Sequence, residues 1–183
     1  MAILAIRRTL ALLTAAWLFV HGPAPAQTTA PDEYALMAVY TYNFAKFTEW
    51  PPGSFTDLDA SLNFCILGEN PFGLALAKIE GQKVRNHVFQ VKRYPRVAVL
   101  SGCHIVFVSR SEDWRLERIL QDLGAAPILT ISDIPDFAQR GGMITLATVD
   151  RRVRFSINPV VVADAGLRIS SKLLELAQIV SSG

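Results

Sequence analysis

From Pro31 and Asp32 to about Thr48, Met37, Tyr40, Phe44 and Phe47 recur at helical spacing until Pro51-Pro52-Gly53 interrupts. That periodicity predicts one amphipathic helix with Phe44 and Phe47 in its core-facing stripe. Leu62 to Leu67 is an apolar run stopped by Gly68, and Phe72 to Glu80 has helical periodicity up to Gly81. The two read as strand, turn and helix. Val88 to Tyr94 alternates as a strand, and Ile105 to Val108 is a continuous apolar run of the kind found in strands covered on both faces. Trp114 to Leu123 predicts a second helix ending at Gly124, and Ile128 to Ile131 a short strand. Met143 to Val149 and Val153 to Ile157 alternate across Asp150-Arg151-Arg152, which suits an antiparallel hairpin. Asn158-Pro159 opens a helical stretch to about Ala165. Ser170 caps a last amphipathic helix with Leu173, Leu174, Ala177 and Val180 on one face. The sum is a single α/β domain with a largely parallel sheet, a late antiparallel hairpin and helices on both faces.

The first 26 residues change the picture. Arg7 and Arg8 precede an apolar run from Leu10 to Val20, and Ala24-Pro25-Ala26 offers a cleavage site before Gln27. This order reads as a secretory signal peptide over 1–26, leaving a domain over 27–183. The run is shorter than the roughly 20 residues a membrane span needs, and its flank is rich in Pro and Ala, so no membrane insertion is expected after cleavage. A periplasmic location follows, and no lipobox cysteine offers a lipid attachment point. The chain carries 18 Lys+Arg against 16 Asp+Glu, and loss of Arg7 and Arg8 levels the two at 16. Long-range attraction to phosphate is then weak, and nucleic acid is not expected as a partner.

Export lets thiols pair. Cys65 and Cys103 are the only cysteines, and a bond between them closes a loop of about 39 residues, worth roughly 4 kcal/mol if unstrained. Zinc held by these cysteines with His87 and His104 is disfavoured, because Cys103 and His104 at the start of a strand point to opposite faces. Gly68-Glu69-Asn70-Pro71-Phe72-Gly73 has phosphate-loop glycine spacing but ends in Leu74-Ala75 where a Lys and a hydroxyl residue are required. No G-x-S-x-G elbow occurs, and Asp113, Asp133 and Asp136 sit where capping accounts for them. No catalytic residue, metal site or cofactor is nominated. The basic cluster Arg151, Arg152 and Arg154 reads either as a solvated hairpin tip that guards a sheet edge or as a contact that reads charge.

The densest signal is Tyr40-Thr41-Tyr42-Asn43-Phe44-Ala45-Lys46-Phe47-Thr48-Glu49-Trp50-Pro51. Tyr42, Lys46 and Trp50 fall at successive i,i+4 positions away from the core stripe, where aromatics rimmed by charge serve as binding anchors. Together with Arg151, Arg152 and Arg154 they are the expected partner-binding residues.

From this segment to the C-terminus the chain resembles the YfiR-like family of periplasmic proteins. The matching pieces are Tyr42 to Pro51, Cys65-Ile66-Leu67-Gly68 with Pro71-Phe72-Gly73, Cys103-His104-Ile105-Val106-Phe107, Gly141-Gly142-Met143-Ile144, Arg154-Phe155-Ser156-Ile157-Asn158 and Leu167 to Leu174. The resemblance implies a non-enzymatic regulator that represses a membrane-bound diguanylate cyclase by binding its periplasmic sensory domain, lowering cyclic-di-GMP and biofilm. It implies relief by misfolding or by capture on an outer-membrane lipoprotein, and a homodimer is a further expectation. Cys65 and Cys103 match one disulfide of the family's best-studied member, whose second bridge has no counterpart here. The alternative function is a periplasmic small-ligand sensor for another envelope signalling partner. Its pocket is expected at the C-terminal strand ends, around Gly68, Glu69, Asn70, Ser109 and Ser111, where open α/β sheets bind ligands.

Overall fold

The computed structural model describes residues 30–94, 100–150 and 152–183; the predicted leader and Arg151 lie outside them. The chain opens with α1 (Ala30–Phe47), β1 (Thr48–Glu49) and β2 (Leu62–Leu67), and a 3-10 turn over Gly73–Lys78 leads to β3 (Lys83–Val84) and β4 (His87–Tyr94). It continues through β5 (Ile105–Val108), a 3-10 turn over Arg110–Arg115, α2 (Leu116–Leu123), β6 (Leu129–Ser132), β7 (Ile144–Val149) and β8 (Arg152–Ile157). It closes with α3 (Pro159–Asp164), β9 (Arg168–Ile169), α4 (Ser171–Leu174) and β10 (Gln178–Ile179).

Among the described residues, eight strands form one sheet in the order β10-β8-β7-β6-β5-β2-β4-β3. Strands β4, β2, β5, β6 and β7 run parallel, β8 is antiparallel to β7, and β3 is antiparallel to β4. The domain is the single α/β unit the periodicity predicts. Central β5 and β6 are buried throughout, as expected of parallel strands sandwiched between layers. Phe64, Ile66, Ile105 and Phe107 face the layer that holds α1. Cys65, Leu67, Val106 and Val108 face α2 through Leu116 and Ile119. Each large side chain buried this way contributes about 1.5–3 kcal/mol.

Four readings are corrected. Phe47 is 40% exposed, because the buried face of α1 is Met37, Ala38, Thr41, Phe44 and Ala45, and Thr48, the first residue of β1, turns into the core after it. The two threonine hydroxyls donate to the carbonyls of Met37 (3.0 Å) and Phe44 (2.8 Å) and so enter the core satisfied. Trp50 lies beyond the helix end, so helical spacing does not relate it to Lys46. Phe72 to Glu80 contains a 3-10 turn rather than an α-helix. Ala75 and Ile79 amides bond three residues back, to Phe72 and Leu76, both at 3.0 Å, and this tighter repeat buries Phe72, Leu76 and Ile79. The final helix stops at Leu174, after which β10 pairs parallel with β8. Leu176 there is 76% exposed, so a longer helix would bury little, whereas the strand satisfies main-chain groups at the sheet edge. Ser170 occupies the N-cap position of α4, yet its hydroxyl makes no capping bond.

The connection after α1 is held by a second, two-stranded sheet that periodicity did not reveal. Thr48 and Glu49 pair antiparallel with Ile169 and Arg168, and Glu49 accepts hydrogen bonds from Arg168 (3.0 Å) and Arg85 (3.5 Å).

Candidate functional site

At the N-terminal ends of the parallel strands, the segment after β1 folds over the starts of β2, β4 and β5. Phe55 is sandwiched between two imidazoles, 3.8 Å from the His87 ring at 7° and 4.2 Å from the His104 ring at 10°. Trp50 meets Phe55 edge-on at 6.1 Å, and its indole N–H donates to the His104 carbonyl at 3.2 Å. Phe55 is the residue that the sequence reading misses. Its one signal is an aromatic side chain inside a Pro-Gly-Ser turn.

The hydrogen bonds set the state of His104. Its Nδ1 accepts from the Asn63 amide at 3.0 Å, and Nε2 lies 3.0 Å from the Ser54 carbonyl. The ring is therefore the neutral tautomer with its proton on Nε2. Burial lowers its pKa below the ordinary histidine value, with the nearby His87 and Lys92 charges acting in the same direction.

Two clefts flank this stack. One, about 440 Å³, is walled by Trp50, Pro51, Phe55, Leu58, Arg85 and His87. The other, about 490 Å³, is walled by Asn63, Lys92, Gly102, Cys103, His104 and Pro127. Cys65 and Cys103 form a disulfide with Cα atoms 5.9 Å apart. Because Cys65 is on β2 and Cys103 just precedes β5, the bond clamps the two strands, with Cys103 on the wall of the second cleft. Among the described residues no three His, Cys, Asp or Glu side chains converge to hold a metal ion.

The C-terminal strand ends bring Gly68, Glu69, Ser109 and Ser111 together, with Asn70 beside them. The Glu69 amide donates to the Ser111 hydroxyl at 3.0 Å, the Ser111 amide to the Ser109 hydroxyl at 3.4 Å, and the Phe72 amide to Asn70 Oδ1 at 3.1 Å. Gly68 has φ 91, and a Cβ there would run into Ser111 and Glu112, so the turn closes tightly on itself. Beside it, Asp133 is 3% exposed. Its carboxylate accepts from the Tyr34 hydroxyl at 2.7 Å and the Arg110 amide at 3.1 Å. Burial, reinforced by the hydrogen bond to Asp133, pushes the Tyr34 pKa up to about 12.

The structure divides the expected partner-binding residues among three places. Tyr42 packs edge-on against Phe89 at 5.7 Å and donates its hydroxyl to the Lys83 carbonyl at 2.8 Å. The Lys46 ammonium stands 5.0 Å over the Tyr42 ring. Trp50 belongs to the Phe55 cluster instead. Arg152 and Arg154 are exposed on β8, on the far side of the sheet order from β4.

The fold is a mostly parallel α/β sheet with a disulfide across two central strands and two clefts at the N-terminal strand ends. The YfiR/HmsC-like family model matches residues 34–178. The chain belongs to the YfiR/HmsC-like family. A solved structure of a conserved domain protein from Vibrio cholerae is similar at a TM-score of 0.49 and 9% identity, over 64% of this chain and 54% of that one.

Proposed function

We propose that this protein is a periplasmic, non-enzymatic regulator that binds the periplasmic sensory domain of an inner-membrane diguanylate cyclase, or of a related signalling protein, and holds it inactive. The match to the YfiR/HmsC-like family over 34–178 carries the reading. The leader-like first 26 residues and the Cys65–Cys103 bond support it, since both suit an exported protein. Exposed Lys46 over Tyr42, and the arginines of β8, supply charged and aromatic contact surface. Deleting the gene is expected to raise cellular cyclic-di-GMP and biofilm, and an envelope crosslinking pull-down to recover a membrane protein with a periplasmic domain. Unchanged cyclic-di-GMP on deletion refutes a cyclase partner.

The cleft walled by Trp50, Phe55 and Arg85 favours a second reading, in which a small ligand tunes the regulator. Thermal-shift screening of the purified protein against amino acids, nucleotides and vitamins tests it, because a ligand that binds only the native state raises Tm. A screen without a stabilising hit removes this reading.

A further inference from the structure

β10 pairs with β8 only at Ser156 and Ile157. The Arg152–Phe155 half of β8 is paired with β7 on one side and has no strand on the other among the described residues. A groove of about 770 Å³ is lined by Ala147 and Val149 of β7, Arg154 and Phe155 of β8, and Tyr40 and Leu176. Its rim is apolar: Leu176 is 76% exposed. Arg152 and Arg154 are exposed and have no ion pair among the described residues.

A free edge is a template for another strand, and exposed cations are a common guard against it. The guard is selective. A second copy pairing edge to edge would bring these arginines against their own counterparts, which like-charge repulsion disfavours. An acidic strand meets the opposite condition. We propose that the free edge of β8 receives an extended segment of the signalling partner by β-pairing, with acidic residues two positions apart opposite Arg152 and Arg154 and an apolar residue between them. Main-chain hydrogen bonds supply the affinity and the alternating side chains the selectivity. The intervening apolar side chain falls on the Phe155 face, beside Tyr40, to which Phe155 packs at 5.8 Å. The four free residues span about 13 Å of strand, enough for one short segment. This inference rests on the proposed reading that the protein works by binding a partner.

The test uses three fluorescein-labelled peptides on the full mature chain: a Gly-flanked Glu-Val-Glu-Val-Glu, the same peptide N-methylated at alternate residues, and its Lys-for-Glu counterpart. The acidic peptide is expected to bind, and N-methylation or the Arg152→Glu/Arg154→Glu variant to weaken binding at least about tenfold. The same double variant is expected to bind the Lys peptide, which also shows that it is folded. Equal binding of the methylated and unmethylated acidic peptides, or no binding of either, overturns β-pairing. Crosslinking of two chains through this edge overturns the choice of an acidic partner over a second copy. The two proposals fail separately. Repression that survives the double variant sinks the edge site alone, whereas peptide pairing with cyclic-di-GMP unchanged on gene deletion sinks the regulatory reading alone.

Discussion

Breaking the Cys65–Cys103 bond perturbs a clamp between two central strands, and its effect can be worked from the chain. The cysteines are 38 residues apart, so the bond closes a loop of about 39 residues. In the chain-entropy model that loop removes about 13 cal/mol/K from the unfolded ensemble, or about 4 kcal/mol at 25 °C. Cys65 is fully buried and Cys103 is 5% exposed, so the free thiols stay within the core after reduction and little new solvation offsets the loss. Against a total stability of about 5–15 kcal/mol this is a large share. With a urea slope of about 2 kcal/mol/M the unfolding midpoint falls by about 2 M, and Tm falls by about 8–16 °C. Circular dichroism in urea, run on oxidised protein and on protein whose two free thiols are confirmed by a thiol reagent, measures it. A midpoint that moves by less than about 0.3 M would refute the loop-closure reasoning.

Three further outcomes are expected. Asp133→Ala leaves the Tyr34 hydroxyl and the Arg110 amide without their acceptor and costs about 1–3 kcal/mol; a urea midpoint equal to wild type contradicts the network. Because His104 has a lowered folded pKa, the unfolded state binds more protons just below pH 6.5. Its contribution is therefore complete above that pH and lost as pH falls through the folded value. His104→Gln should flatten the urea midpoint between pH 7.5 and 5.5, and an unaltered slope excludes this residue as the cause. Gly142→Ala drives a Cβ into the fully buried Phe137 ring and is expected to cost about 1–3 kcal/mol through overpacking, read as a lower Tm; a melting curve unchanged from wild type rejects the clash.

Local pattern determined much of this protein. The continuous apolar run Ile105 to Val108 is enough to make β5 a buried parallel strand, because a residue at any position of such a strand meets a covered face. The alternation of β7 and β8 around a short polar turn is enough for the hairpin. The bond between the two cysteines followed from the export reading, and its position confirms that these residues are neighbours across β2 and the entry to β5.

Tertiary structure decided the rest. Thr41 of α1 and Thr48, which opens β1, read as polar, yet both are buried, since a hydroxyl bonded to the carbonyl four residues back no longer needs water. That shift is what leaves Phe47 at the surface. The segment after Leu174 has helical spacing but meets an unpaired strand, and main-chain bonding to β8 outweighs periodicity. Phe55 acquires its place only when β4 and β5 bring His87 and His104 to either side of it, a proximity across the sheet that no local spacing encodes. Sequence determines which segments become strands and helices because burial acts residue by residue; which side chains meet at the strand ends depends on the order in which those strands lie.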